Sequence, residues 1–514
     1  MNISKIAIDN NRITITLLLV ILGIGVSTYF NLSRDAMPPY TVRVCTVVTS
    51  FPGASPERVE KLISDKVEKA AQELAELKTV TSESRTGLSI VKVELNADIK
   101  KDELQPIWDK LRRKIDNIRK DLPDGIYGPN VKDDGIGQVY GIMLGLEGEG
   151  FSHRELKAYA DDIRDDLIKL DDAAKVELGG VQDEQIYVEF DNARLAKLGL
   201  TPAKLQSIIS KTNIVYSGGQ VSMKDEQIVL EPTGNFETIA DLQKILIQPD
   251  KGGEPIELGE ITKVTRAYKT PTDNLVKVSG HQGLSISIAL KEGANLIRLG
   301  EEVDKKVALY NQTLPYGILL TRAASQDAYV DKKVQSFVVN VIESIVIVLA
   351  VMLMFLGFRT GMVVSSLIPM AMVMTLLFMG VFEISLNQVS LAALIMALGM
   401  LVDNAIVVSE SMMVKMEDGD PPLKAAMDSS TELMIPLLVS SLTTSAAFLA
   451  FFLAEDTMGE IMGPLFSVIT LALLSSWILA MTMITMLGVS FIRVTKKDPD
   501  AAPKFSIFDN SSKE

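Results

Sequence analysis

The chain has 514 residues, 47% of them hydrophobic and 23% charged, with 51 basic and 65 acidic side chains. Apolar runs of bilayer-crossing length exclude an ordinary soluble protein, and so many charges exclude one wholly embedded in lipid. The net charge of −14 argues against nucleic acid as a partner, and the single Cys45 permits no intrachain disulfide.

The charges and the apolar runs are segregated along the chain. Lys5 and Arg12 precede the first run, residues 13–32, ITITLLLVILGIGVSTYFNL. It is longer than a signal-peptide core, and no small-x-small cleavage site follows it, so it reads as an uncleaved first membrane helix. From Pro38 the character changes to α/β. Residues 40–51 are rich in β-branched side chains and read as a strand. Pro52-Gly53 is a turn, and Ser55-Pro56-Glu57 opens a helix that runs to about 77, with Val59, Leu62, Ile63, Val67 and Ala70 on one face. Strands follow over 78–84 and 88–95, then a helix over 102–122 and an edge strand over 126–131 that contains Pro129.

The pattern then recurs without sequence identity. Its parts are a strand over 138–146, a helix from Ser152 to about 170, strands over 174–178 and 186–190, and a helix opened by Leu200-Thr201-Pro202 and running to about 211. Residues 212–264 read as an insertion holding Ser217-Gly218-Gly219, a strand-like piece at 227–231 and the turn Lys251-Gly252-Gly253. Strands over 275–278 and 284–290 and a helix over 297–309 resume the unit. A split βαβ (ferredoxin-like) unit used twice accounts for this order. The histidines, His153 and His281, are too few and too far apart for a histidine-based metal site.

Apolar runs return after Asp331, with spans expected over 338–358, 362–382, 391–413, 434–453 and 465–491. A short interfacial helix after Pro421-Pro422 joins the third of these to the fourth. The expected fold is therefore a bundle of six transmembrane helices bearing a large α+β region of two split βαβ subdomains. The division is 1–32 for the first span, 33–133 and 134–333 for the two subdomains, 334–494 for the remaining spans, and 495–514 for a flexible cytoplasmic tail. Placing the N-terminus in the cytoplasm puts Lys5, Arg12, Arg359, Lys415, Lys424, Arg493, Lys496 and Lys497 on the inner side. The short outer connections hold no Lys or Arg. The α/β region then lies outside the cytoplasm.

The run at 391–412, LAALIMALGMLVDNAIVVSESM, carries Asp403 and Asn404 near its middle. A carboxylate there is costly and needs compensation. Ala392 and Gly399 fall on roughly the same side of the helix as Asp403, so a neighbouring helix is expected to pack closely there and keep the acid among protein. The acid reads either as a structural polar anchor or as a proton or ion site. Glu343, near the outer end of its span, is either a proton-route residue or a solvated helix-end group. Ser440, Ser441, Thr443, Thr444 and Ser445 either bond their own backbone or partner Asp403. No Walker-type loop, Ser–His–Asp set, paired cysteines or HExxH occurs, so no ATP-driven or enzymatic chemistry and no cofactor is expected.

Four stretches carry a resemblance to a known family. They are YTVRVCTVVTSFPGASPERVE after the first span, RLAKLGLTPAKL at 194–205, IESIVIVLAVMLMFLGFRT at 342–360, and ALGMLVDNAIVVSES at 397–411. With these in order almost end to end, the chain resembles the N-terminal half of a resistance–nodulation–division (RND) transporter, most closely the hydrophobe/amphiphile efflux branch. The resemblance implies a proton-driven exporter of small amphiphilic or hydrophobic compounds, as in multidrug resistance, in the bacterial inner membrane. It implies a periplasmic porter domain, with the insertion at 212–264 as a docking element. A homotrimer joined to a periplasmic adaptor and an outer-membrane channel is implied as well. The family's relay aspartate falls on Asp403, and Asn404 stands where the drug-pump branch commonly has a second Asp. Glu343, Thr443 and Thr444 are the accessory relay candidates. The relay's lysine comes from a second transporter half, and no Lys lies in any expected span here. A non-transporting regulatory half-protein and a metal-ion exporter are the alternatives. Met352, Met354, Met370, Met372 and Met374 read as lipid-facing or packing residues.

Overall fold

The computed structural model describes residues 3–133, 139–212, 220–223, 226–229, 236, 238–248, 254–272 and 274–493. The tail at 495–514, Gln138 and the turns Ser217-Gly218-Gly219 and Lys251-Gly252-Gly253 lie outside the described residues, as does the end of the 227–231 piece. A short helix α1 (Ile3–Asp9) leads into α2 (Asn11–Asn31), the first apolar helix.

The first α/β unit contains β1 (Val44–Ser50), α3 (Pro56–Val59), a π-helical turn (Glu60–Ser64), α4 (Asp65–Gln72), β2 (Leu77–Arg85), β3 (Leu88–Leu95), α5 (Lys101–Ile118) and β4 (Tyr127–Lys132). The antiparallel sheet has the order β2-β3-β1-β4. Alternation along β1 and β3 sends Cys45, Val47, Val91, Val93 and Leu95 to one face. Ile63, Val67, Trp108, Leu111 and Ile115 of the helices close over them into a self-contained core. The helix expected over 55–77 is interrupted by the π turn. That turn places the Ser64 hydroxyl 2.7 Å from Ser84 and 2.8 Å from Ser89. Ser55 occupies the cap position, but its hydroxyl makes no capping bond, and Pro56 alone sets the helix start.

The second unit is built from β5 (Tyr140–Gly148), α6 (His153–Leu167), β6 (Ala173–Gly179), β7 (Glu184–Phe190), α7 (Asn192–Lys197), α8 (Pro202–Thr212), β8 (Gln220–Met223), β9 (Glu226–Val229), α9 (Ile239–Gln243), β10 (Leu246–Ile247), β11 (Ile256–Glu257), α10 (Leu258–Ile261), β12 (Thr262–Tyr268), β13 (Val276–Val278), β14 (His281–Leu290), α11 (Leu296–Thr313) and β15 (Ile318–Ser325). Ser152 and Glu155 form a reciprocal capping box at the start of α6. Strand β14 has β5 on one side and β6 with β13 on the other, and β15 closes the far edge against β5. The order β6-β14-β5-β15 matches that of the first unit.

Two features differ from the sequence reading. Strand β15 had no counterpart there, because ILLTRAAS does not alternate and runs directly into a membrane helix. Strand β7 does not join the main sheet: it pairs with β12 in a separate ribbon. Leu195, Leu200, Leu205, Ile247, Leu258 and Ile261 form a small core of their own beside that ribbon, so the departure from the sheet is longer than 212–264.

The membrane part contains α12 (Gln326–Ser365), α13 (Leu367–Val381), α14 (Gln388–Glu417), α15 (Pro422–Ala446), α16 (Leu449–Leu453), α17 (Thr457–Leu479), a second π turn (Ala480–Ile484) and α18 (Thr485–Phe491). Gly357, at φ 78°, breaks α12 into two runs. Among the described residues five helices are long and apolar enough to cross a membrane: Asn11–Asn31, Gln326–Met352, Gly357–Val381, Gln388–Glu417 and Thr457–Phe491. The expected run 434–453 is not one continuous helix. Its first part belongs to α15, which continues the helix expected to be interfacial, and the chain turns at Ala447-Phe448 before α16. Helix α17 starts at Thr457, ahead of the expected 465, because Asp456 caps it through the Gly459 N–H at 2.7 Å.

The second unit's core is continuous with the bundle. Ile142, Leu144, Leu284, Ile286, Leu296 and Leu299 join Leu32, Ala36, Val330, Val334 and Phe337, and through them the packed faces of α13, α14 and α17.

Candidate functional site

Helix α14 begins at a tight cap. The Asn387 side-chain Oδ1 accepts the N–H groups of Val389 and Ser390 at 3.0 Å each, while Ser390 Oγ accepts the Asn387 N–H at 2.8 Å. From there the helix presents two faces. Leu394, Ala397, Leu398, Leu401, Asn404, Ala405, Val408 and Met412 are buried against α17, α15, α13 and α12. Ala392, Met396, Gly399, Asp403, Val407 and Glu410 are exposed.

Asp403 is thus on the outer face of the helices present, which corrects the expectation that a neighbour in this chain covers it. The small residues beside it predict a close helix contact, and none occurs there among the described residues: a Cβ placed on Gly399 meets nothing within 4 Å. The contrast is Gly25 of α2, where a Cβ would come within 2.4 Å of Val373 Cγ1 on α13. A stripe of small residues permits a close approach but does not name the neighbour that makes it. Among the described residues, none forms an ion pair or hydrogen bond with the Asp403 side chain.

Asn404 is the member of the pair that faces protein, at 5% exposure. Its Nδ2 donates to Ser476 Oγ at 3.2 Å and lies 3.5 Å from Ser441 Oγ, while Ser476 Oγ donates to the Leu401 carbonyl at 2.7 Å. These bonds offset the cost of burying the amide and tie α14 to α15 and α17 at mid-span. Ser476 was not singled out in the sequence; its signal is the Ser475-Ser476 pair inside the apolar run LALLSSWIL. Ser445 reaches Thr470 in the same seam, and Trp477 Nε1 donates to the Met434 carbonyl at 2.9 Å.

The other candidates lie apart from this cluster. Thr443 Oγ1 donates to the Val439 carbonyl at 2.8 Å, and Thr444 Oγ1 to the Ser440 carbonyl at 3.0 Å. Both hydroxyls serve their own helix turn. Glu343 sits on an exposed part of α12, without an ion pair or hydrogen bond among the described residues. Of the methionines, Met352, Met370, Met372 and Met374 are buried packing residues, while Met354 is exposed. No group of three or more His, Cys, Asp or Glu side chains that could hold a metal occurs among the described residues.

Long apolar helices under two α/β units, with an unpartnered acid halfway along one of them, define an integral membrane protein with a large extramembranous region. The chain belongs to the AcrB/AcrD/AcrF family, whose model matches residues 3–513, and so to the inner-membrane RND transporters. It is 26% identical to the cation efflux system protein CzcA of Alcaligenes sp. (strain CT14), over 96% of this chain and 48% of that protein. It is 24% identical to the cation efflux system protein CusA of Escherichia coli (strain K12), over 94% of this chain and 47% of that protein. The multidrug resistance protein MdtC of Escherichia coli O139:H28 (strain E24377A / ETEC) is also 24% identical, with the same coverage of 94% and 47%. The chain spans about half the length of these curated relatives.

Proposed function

We propose that this chain acts as one half of a proton-driven exporter of small amphiphilic or hydrophobic compounds. The observation that carries this reading is Asp403: an acid halfway along an apolar helix, without a partner among the described residues, on a face of small and apolar residues that no described residue covers. Ionisable groups at such depth mark proton or ion routes by default. In this reading a second transporter half packs on the Ala392–Gly399–Asp403 face and supplies the cation. Protonation of Asp403 then changes the local charge balance and biases the helix packing. Glu343 stands at the outer end of the route, and Asn404 fixes the helix beside the acid. Thr443 and Thr444 do not contact the acid and take at most an indirect part.

The two α/β units act as porter subdomains on the periplasmic side, with six spans beneath them, α15 with α16 forming the fifth. The segment between β7 and β12 serves as the docking element of a homotrimer joined to an adaptor and an outer-membrane channel. Export of metal cations is the second reading, favoured by the names of the CzcA and CusA relatives.

The test is transport in vesicles under an imposed pH gradient, with the second half supplied and with amphiphilic dyes and divalent cations offered separately. Asp403→Asn should reduce export to background while the protein folds normally. Full export by Asp403→Asn makes the acid a structural anchor. A wild-type assembly that moves neither class supports a non-transporting half-protein.

A further inference from the structure

The two α/β units are attached to the membrane helices in different ways. The second shares its apolar core with them. The core of the first is closed, and ion pairs lead out of the unit: Lys101 to Glu292 of the second unit, and one to the membrane helices. The pair to the membrane helices joins Arg43, just before β1, to Glu460 in the first turns of α17. Arg43 Nη2 donates to Glu460 Oε1 at 2.5 Å, and Glu460 Oε2 accepts the Thr41 N–H at 2.6 Å. The rest of the guanidinium is engaged too: Nε donates to the Ile99 carbonyl at 2.7 Å and Nη1 to the Thr41 carbonyl at 3.1 Å. Arg43 is 8% exposed. A planar cation with three donors engaged and a carboxylate using both oxygens form a stiff, directional joint, unlike a sliding apolar contact.

The other end of α17 leads to the site. Ser476 bonds Asn404 and the Leu401 carbonyl, so α17 is fastened to α14 beside Asp403. Sixteen residues separate Glu460 from Ser476, about 24 Å along a helix. Pro464 stands four residues after Glu460 and removes the helix bond that would close onto the Glu460 carbonyl. The turn bearing Glu460 is therefore held to the rest of α17 by one helical bond fewer.

We propose that the Glu460–Arg43 pair is the joint through which a change at Asp403, carried by α14 and α17, is delivered to the first α/β unit. The pair positions the base of β1 and the Ile99 loop. This rests on the proton-driven reading above. The transmitted motion is a tilt of the first unit, while the second moves with the bundle through its shared core.

The test uses the 514-residue chain in lipid nanodiscs and amide hydrogen exchange. Asp403→Asn fixes the position neutral. It should change exchange over residues 41–47 and 96–100 by about fivefold relative to wild type at pH 8, the lower end of typical coupling between distant sites. In a Glu460→Gln background the same substitution should leave those amides unchanged. Arg43→Lys keeps the charge but gives up the Thr41 and Ile99 bonds, and should reduce the response partway. Protection over 107–115 reports whether each variant's first unit is folded; if Glu460→Gln loses it, Arg43→Lys decides. A response that survives in Glu460→Gln, or none in the wild-type background, overturns the proposal. The exchange result is independent of export: a chain that transports nothing but shows the response loses the proton-driven reading and keeps the joint.

Discussion

The two α/β units have the same strand order and opposite attachments. In the first, helix and sheet close on each other, and among the described residues Trp108, Leu111 and Ile115 belong to a buried cluster separate from the membrane bundle's core. In the second, β15 runs straight into α12, and Leu296 and Leu299 pack in one cluster with Val330, Val334 and Phe337. A shared topology therefore does not imply a shared mechanical role. The unit with a closed core can move as a body on a few polar contacts, whereas the unit with an open core is an extension of the helices beneath it.

The largest expected effect breaks this contrast directly. Leu111→Ala opens a cavity in the first unit and should cost about 2–5 kcal/mol. Cys45 is fully buried in that core, and burial pushes its thiol up to about 12. Maleimide labelling of Cys45 should accordingly rise steeply in Leu111→Ala, while the thermal transition of the bundle and second unit stays in place. Leu299→Ala, of similar cost, should lower that shared transition and leave Cys45 protected. Identical melting and labelling in the two variants would show that the units are not independent.

A smaller effect separates the two neighbours on α14. Asn404→Ala removes the bonds to Ser476 and Ser441 and should destabilise the bundle by about 1–2 kcal/mol in a detergent unfolding titration. Asp403→Asn touches no described partner and should stay within about 0.5 kcal/mol. The reverse ranking would mean that Asp403 has a structural role in the isolated chain.

The smallest effect is a pH dependence confined to the second unit. The Lys306 ammonium, with further help from Lys169 and Tyr310, holds the Asp166 carboxyl down at about 2 and so joins α6 to α11. An unfolded chain returns this group to about 3.9. Its contribution is complete above that value and is lost as pH falls from about 4 towards 2. The pair is partly solvated, so the amount is under about 1 kcal/mol. Asp166→Asn should reduce the acid sensitivity of the transition that the second unit shares with the bundle over that window, and leave the first unit's profile unchanged.

Much of the α/β region was legible because its local signals are self-sufficient. Ser152 and Glu155 announce α6 with three residues of spacing, and Arg85-Thr86-Gly87 turns β2 into β3 wherever the rest of the chain goes. The order of strands and helices in the first unit follows from such signals. Strand β15 was hidden because its two ends are set by neighbours, β5 on one side and α12 on the other. Helix α15 was misdivided because Asp428 and Glu432 mark polar surface without ending a helix. At the site, the pattern around Asp403 defined a face correctly but not its occupancy. Ala392, Gly399 and Asp403 align on one side whether a helix packs there or not, and only the three-dimensional arrangement shows which.

The uncovered face of α14 also bears on how a cell would count this chain. Until something packs over Gly399 and Asp403, the acid stays on an outer helix face, and an acid that meets lipid at a helix centre costs about 2.5–3.5 kcal/mol on insertion scales. A newly made copy that finds its cover loses this burden, and one that does not retains it. On the relay reading proposed above, the same side chain would also label an unassembled molecule as an exposed polar flaw. Surplus copies would then be short-lived, and the amount of chain in the membrane would follow the supply of whatever covers it rather than its own rate of synthesis.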